Sequence, residues 1–198
     1  MATVAGRERN RSRPAPSAVA RERRLHAEQV RGHRFVAGWG PKRSATVVPA
    51  PLRYWQYHPG GLLALALSLA VVGIWLALFA WRGGWPALRD ELPVAVAAGL
   101  LLYAVNTRRA TVSDSGFSVD TAGTRADPSD VVPSLLVQAV QSGRPPEDWP
   151  PATTRGGWWP GRTRVAVRHL TDDGEASFTL WARDPQALAD ALGLPLTR

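Results

Sequence analysis

Residues 61–81 read GLLALALSLAVVGIWLALFAW. Those 21 positions carry no charge, and Ser68 is their one hydroxyl. At about 1.5 Å of rise per residue, a helix of this length spans roughly 30 Å, the thickness of a bilayer's hydrocarbon core. Apolar side chains cover every side of such a helix, so it is not an amphipathic surface helix. A chain of 198 residues has too little material to bury it all round in a soluble core. It does not read as a cleavable leader either. Sixty residues precede it, the run is too long, and Arg82 follows with no small-residue cleavage site. The run predicts a transmembrane helix over 61–81.

A second apolar run, LPVAVAAGLLLYAV, occupies 92–105. It is short for a crossing, but Ala87 and Leu88 lengthen it and leave Arg89, Asp90 and Glu91 at or near the interface. Arg89 can snorkel, and Pro93 suits the first turn of a helix. We expect a second span over about 88–106. The connector 82–91 contains Gly83, Gly84 and Pro86, a turn that sets the two helices antiparallel. Trp55, Trp81 and Trp85 flank the apolar runs, where amphipathic rings favour the headgroup level, and Arg108 and Arg109 close the second run. These five are the expected interface anchors, while Trp75 sits deeper as a packing residue. Ala66/Ala70 and Ala95/Gly99 are small residues four apart, a spacing that lets helices approach closely.

Charge sets the orientation. Residues 1–53 carry 12 basic and 3 acidic side chains, a net of 12 − 3 = +9, while the whole chain carries +8. Basic residues thus flank both apolar runs, and the positive-inside rule places both termini in the cytoplasm and the connector outside. Residues 1–53 mix Arg, Pro, Ala, Ser and Gly with few aliphatics, so they are expected to form a disordered arm, with at most a transient helix over 17–31. Such an arm serves as a solvated topology signal or adsorbs to anionic lipid headgroups. Nucleic acid is a poor fit as a partner, because stacking aromatics are nearly absent before Phe35.

Residues 107–198 predict a small α+β domain. Strands over 109–113 and 116–120 flank a Ser-Asp-Ser-Gly turn. The stretch 130–141 fits a strand or a helix, and 142–157, rich in Pro and Gly, is a long loop. Residues 162–170 alternate, with Val165 and Val167 on one face, and 176–182 alternate again, with Phe178 and Leu180 on one face. Between them Asp172-Asp173-Gly174 makes a hairpin turn. Asp184 caps a last helix, Pro185 opens it, Leu188 and Leu192 share a face, and Gly193 ends it. The expected fold is a membrane α-helical hairpin (54–106) followed by an antiparallel sheet domain with a C-terminal helix.

A helical hairpin, then strands 107–120 and 162–182, then Arg183-Asp-Pro-Gln-Ala-Leu-Ala-Asp-Ala-Leu192, resembles bacterial pleckstrin-homology-like membrane proteins. The dominance of Arg, with Lys42 the single Lys, and the abundance of Ala, Gly and Pro fit a GC-rich actinobacterial genome. The resemblance implies a scaffold or interaction role and brings no catalytic residues with it.

No residue pattern points to catalysis. His26, His33, His58 and His169 fit no metal-binding spacing, and no cysteine is available as nucleophile or thiolate ligand. His26 and His33 fall in the arm, and His169 beside Arg168 is expected in solvent. Serines lack a Gly-x-Ser-x-Gly setting, and no glycine run cradles phosphate. No catalytic, cofactor or metal residue is therefore assigned. Trp158-Trp159-Pro160 stands apart: exposed, it would dock on a membrane surface or a partner; otherwise it folds over the sheet and closes its core. The expectation is a non-enzymatic membrane protein whose cytoplasmic domain makes protein or lipid contacts. The other reading is an accessory subunit of a larger membrane enzyme or transporter.

Overall fold

The structure is a computed structural model and describes residues 14–36, 39–43, 52–121 and 127–197. The elements in chain order are α1 (Pro16–Arg31), β1 (His33–Val36), β2 (Trp39–Arg43), β3 (Tyr54–His58), α2 (Gly61–Val105), β4 (Arg108–Val112), β5 (Gly116–Thr121), β6 (Val132–Pro133), β7 (Val137–Ser142), β8 (Ala152–Thr154), β9 (Thr163–Thr171), β10 (Gly174–Ala182), α3 (Pro185–Ala191) and β11 (Leu196–Thr197). Strands β3-β4-β5-β6 form an antiparallel sheet, and β11-β7-β9-β10-β8 form a second. A separate ribbon pairs β1 with β2.

Element α2 is 45 residues long and is apolar enough to span a membrane by length and composition. Only 6% of its most apolar stretch is buried, so it is not the core helix of the domain. The expected second helix over 88–106 is the second arm of α2, joined to the first across a kink. The chain runs on as one element, interrupted at Gly84, where φ is +64° and ψ is −154°. That conformation is open essentially to glycine alone. Pro86 follows two residues later, at the start of the second arm.

Small residues bring the two arms together. Ala64, Ser68, Ala95 and Gly99 are buried, and a methyl group on Gly99 would collide with Val72 Cγ2. The seam on the first arm is therefore Ala64/Ser68; the expected pair Ala66/Ala70 is exposed. Near the break, Trp75 Nε1 donates to Glu91 Oε2 across 3.1 Å, so Trp75 links the arms by a hydrogen bond.

Both ends of α2 belong to the sheet. Strand β3 precedes it and pairs antiparallel with β4, which follows it, in the register Tyr57↔Arg109 and His58↔Arg108. The expected boundary at residue 107 is thus too late. The α+β domain already includes Tyr54–His58, and α2 is inserted between two of its neighbouring strands.

The two sheets face each other across one core. Ala110, Val112 and Phe117 come from the first, and Val140, Val165, Val167, Phe178 and Leu180 from the second. The Phe117 and Phe178 rings stack at 5.1 Å and 9° between them. Helix α3 closes the side with Leu188 and Ala189, capped by Asp184, whose carboxylate accepts from Ala187 N at 2.9 Å. Gly193, at φ +69°, ends it. Asp172 and Asp173 form the β9–β10 turn, and Gly174 takes a φ of +138° there. The second sheet is mixed, because β8 and β11 join its two edges in parallel. Strand β8 lies inside the Pro-rich stretch expected to be loop only.

The N-terminal segment also differs from expectation. Pro16–Arg31 is a helix with His26, Ala27 and Val30 buried, because one side of it lies on the outer face of the first sheet. Residues 1–13, 37–38 and 44–51 of the expected arm lie outside the described residues.

Phe178 carries the contact between the sheets, so Phe178→Ala should cost about 3–5 kcal/mol of stability. Denaturant unfolding of the full chain in detergent measures it, and a loss below about 1 kcal/mol would mean that the sheets are held together elsewhere.

Candidate functional site

The surface at the base of α2 assembles from three segments. Strand β3 enters through His58, Pro59 and Gly60, and the chain leaves through Asn106, Thr107 and Arg108. A Cβ on Gly60 would lie 2.8 Å from Asn106 Cβ, so entry and exit are packed side by side. The third segment is the turn 155–162. Gly156, at φ +92°, would place a Cβ 3.0 Å from His58 Nδ1, and Gly157 would place one 3.1 Å from Gly61 Cα. Only glycines let this loop lie so close to the start of the helix.

A buried polar network holds the junction rigid. Tyr54 Oη donates to Gln56 Oε1 at 2.5 Å, and Arg183 N donates to the same oxygen at 2.6 Å. The Gln56 amide nitrogen donates to Trp181 O at 2.8 Å and faces His58 Nε2 at 3.0 Å. With its oxygen occupied, Gln56 offers His58 only N–H groups, as Arg162 does at the other ring nitrogen, so the neutral ring accepts from one of the two. Arg162 Nη2 donates to Tyr57 O at 2.6 Å, and its Nη1 lies 3.2 Å from His58 Nδ1. Burial, and then the Arg162 charge, hold the His58 pKa down at about 4, so the ring is neutral. Burial also pushes the Tyr54 phenol up to about 12.

A second polar cluster lies under α1. His26 Nδ1 is 2.7 Å from Ser113 Oγ and its Nε2 is 3.0 Å from Ser118 Oγ. Ser118 donates its own hydrogen to Asp120 Oδ2 at 2.8 Å, so it accepts from His26 Nε2–H, and Nδ1 accepts from Ser113. Thr111 Oγ1 adds a 3.0 Å contact to Ser118. Arg109 Nη2 lies 3.9 Å from Asp120 Oδ2. Burial raises the Asp120 pKa, opposed by the Ser118 bond and the Arg109 charge, and burial lowers that of His26 to about 4.

His, Ser and Asp side chains thus meet, but not in the order that makes a nucleophile. In an activated serine the histidine takes the hydroxyl proton and the carboxylate orients the histidine. Here the hydroxyl proton goes to the carboxylate, and His26, Thr111 and Ser118 have no exposed surface. The cluster fastens α1 to the sheet. Among the described residues no three His, Asp or Glu side chains gather as a metal site would need.

The residues singled out in the sequence fall in four places. Trp158 is 47% exposed and edge-on to Trp181 at 6.5 Å; it and the half-buried Trp159 follow Gly157 at the base of α2. Arg108 is exposed at the same base. Trp81 and Trp85 flank Gly84 at the other end of α2 and are 82% and 75% exposed. Trp55 stands on β3 opposite Thr111, packed edge-on to Tyr57 at 5.9 Å, further from the helix than Arg108. Arg109, next to Arg108 on β4, is buried, with its Nη2 3.9 Å from Asp120 Oδ2. His169 is not in solvent: it shares the inward parity of Val165 and Val167 and lies 5.6 Å from the Phe178 ring.

Sequence reading missed the His26 cluster and the Gln56–His58–Arg162 network. The one available signal for the first was the spacing of His26, Ala27 and Val30 on one side of a helix. No family model, curated protein or solved structure matches the chain.

His26 has a folded pKa near 4 against 6.5 for the free side chain. Its neutral form is favoured by folding, so its contribution is complete above pH 6.5 and is lost as pH falls towards 4. The loss reaches about 3 kcal/mol, by the usual 1.4 kcal/mol per pH unit. Asp120, with a raised pKa, acts in the opposite direction at the acid end. Stability of the full chain in detergent should therefore fall from pH 6.5 to 4.5, and His26→Gln should make that slope shallower, leaving the share of His58, whose pKa is held at about 4 as well. An unchanged slope in the variant would remove His26 as its source.

Proposed function

We propose that this chain is a non-enzymatic integral membrane protein. In this reading α2 crosses the bilayer twice as a hairpin, both termini are cytoplasmic, and the α+β domain makes protein or lipid contacts at the membrane's inner face. One observation carries it: an exposed apolar helix broken at Gly84, whose two ends are fixed in paired neighbouring strands. What enters the bilayer at Gly61 must return to the same face at Val105. Each arm of about 20 residues is roughly 30 Å long, enough for one crossing. Arg108 and the +9 charge of residues 1–53 favour the cytoplasm for that face. Trp81 and Trp85 would then lie in the opposite headgroup layer.

The pleckstrin-homology-like resemblance supports a contact role for the domain, as does the bonding order of the His26 cluster, which leaves no activated nucleophile. The reading as an accessory subunit of a larger membrane enzyme or transporter draws on Gly73. A Cβ there would meet nothing within 4 Å, so a neighbouring helix could approach it closely. A stoichiometric membrane partner co-purifying in detergent would favour that alternative.

The chain contains no cysteine, so single-cysteine variants report topology without background. In intact cells an impermeant maleimide should label Trp85→Cys. Thr197→Cys should react only after the membrane is opened. Labelling of both or of neither before opening would overturn the double crossing.

A further inference from the structure

We propose that the turn 155–162 is a second membrane contact, seating Trp158 and Trp159 in the lipid headgroup layer beside the base of α2. The proposal rests on the membrane reading of α2 and adds the site by which the domain lies against the bilayer. Gly157 touches Gly61, the first residue of the helix, so the turn stands at the level where the helix leaves the hydrocarbon. Residues 150–164 (PPATTRGGWWPGRTR) carry three Arg and no acid. Indole rings favour the headgroup level because an apolar body and an N–H both find partners there, and basic side chains favour anionic lipid.

The loop's construction fits this use. Trp158 is exposed although Trp181 lies beside it, and Pro160 next to it is exposed as well. Beneath them the loop is fixed. Arg155 N donates to Thr179 O at 2.8 Å, the Arg155 guanidinium lies 4.7 Å over the Phe178 ring, and Arg162 Nη2 donates to Tyr57 O at 2.6 Å. Arg155 is thus spent inward. Exposed Arg108, three residues beyond the end of α2, is the cation placed to meet a lipid phosphate. A rigid loop presenting an indole loses little freedom on insertion.

The test uses the full chain in vesicles of phosphatidylcholine and phosphatidylglycerol. One environment-sensitive fluorophore is attached at Pro160→Cys, and in a second protein at Ile74→Cys on the exposed surface of α2. The Pro160 probe should be shielded from aqueous iodide and quenched by a nitroxide placed high on the lipid chain. Trp158→Ala with Trp159→Ala should raise iodide quenching several-fold, and Arg108→Gln should raise it in the phosphatidylglycerol vesicles only. Circular dichroism checks that the Trp variants fold; should the pair unfold, Trp158→Ala alone, at the exposed position, carries the test. An Ile74 probe quenched by deep nitroxides beside a Pro160 probe open to iodide would overturn this contact and leave the membrane reading intact. An Ile74 probe with no lipid quenching would overturn both.

Discussion

The antiparallel pairing of β3 with β4 constrains everything between them. Neighbouring strands lie about 5 Å apart, so a 45-residue helical element that begins after one and ends before the other must come back to its origin. Two details of sequence make that possible. Gly84 takes a backbone conformation closed to other residues, and Ala64, Ser68, Ala95 and Gly99 form a seam narrow enough for the arms to touch. The Gly60–Asn106 packing at the base and the Trp75–Glu91 bond near the break are where the constraint shows.

Two neutral histidines mark the joints of the molecule. His58 lies where the helix meets the sheet and is shared among Gln56, Arg162 and the close-packed Gly156. His26 lies where α1 meets the sheet and is shared between Ser113 and Ser118. At His26 a ring that both donates and accepts joins elements far apart in sequence, which neither an aliphatic nor a fixed charge would do without loss; at His58 the ring lies between two donors, the Gln56 amide nitrogen and the Arg162 guanidinium.

Features set by local pattern were legible in the sequence: the charge-free run 61–81, the alternation in β9 and β10, the Asp-Asp-Gly turn, and Asp184-Pro185 with Gly193 around the last helix. Features set by tertiary context were not. Tyr54–His58 has the aromatic content of a membrane flank as much as of a strand, and only its pairing with β4 decides. Arg109 follows Arg108 in a basic pair, yet alternation leaves one exposed and buries the other beside Asp120. His169 was legible in principle, since it keeps the parity of Val165 and Val167, but its polarity suggested solvent. The hydroxyls of Thr111, Ser113 and Ser118 suggest a wet face until α1 is seen to cover it. Strand β8 is three residues in a Pro-rich segment, too short for any period to show.

The inserted position of α2 also bears on how the chain folds. Closing a flexible loop of about 45 residues costs about 3 kcal/mol in chain entropy before the strands at its ends gain anything. A helical hairpin formed first removes that cost, because it delivers His58 and Arg108 already side by side. The β3–β4 pair then behaves kinetically as a local hairpin despite its separation in sequence. The natural order of assembly is α2 first, then the sheet it carries, with α3 and α1 closing over a surface that exists only once those strands have met.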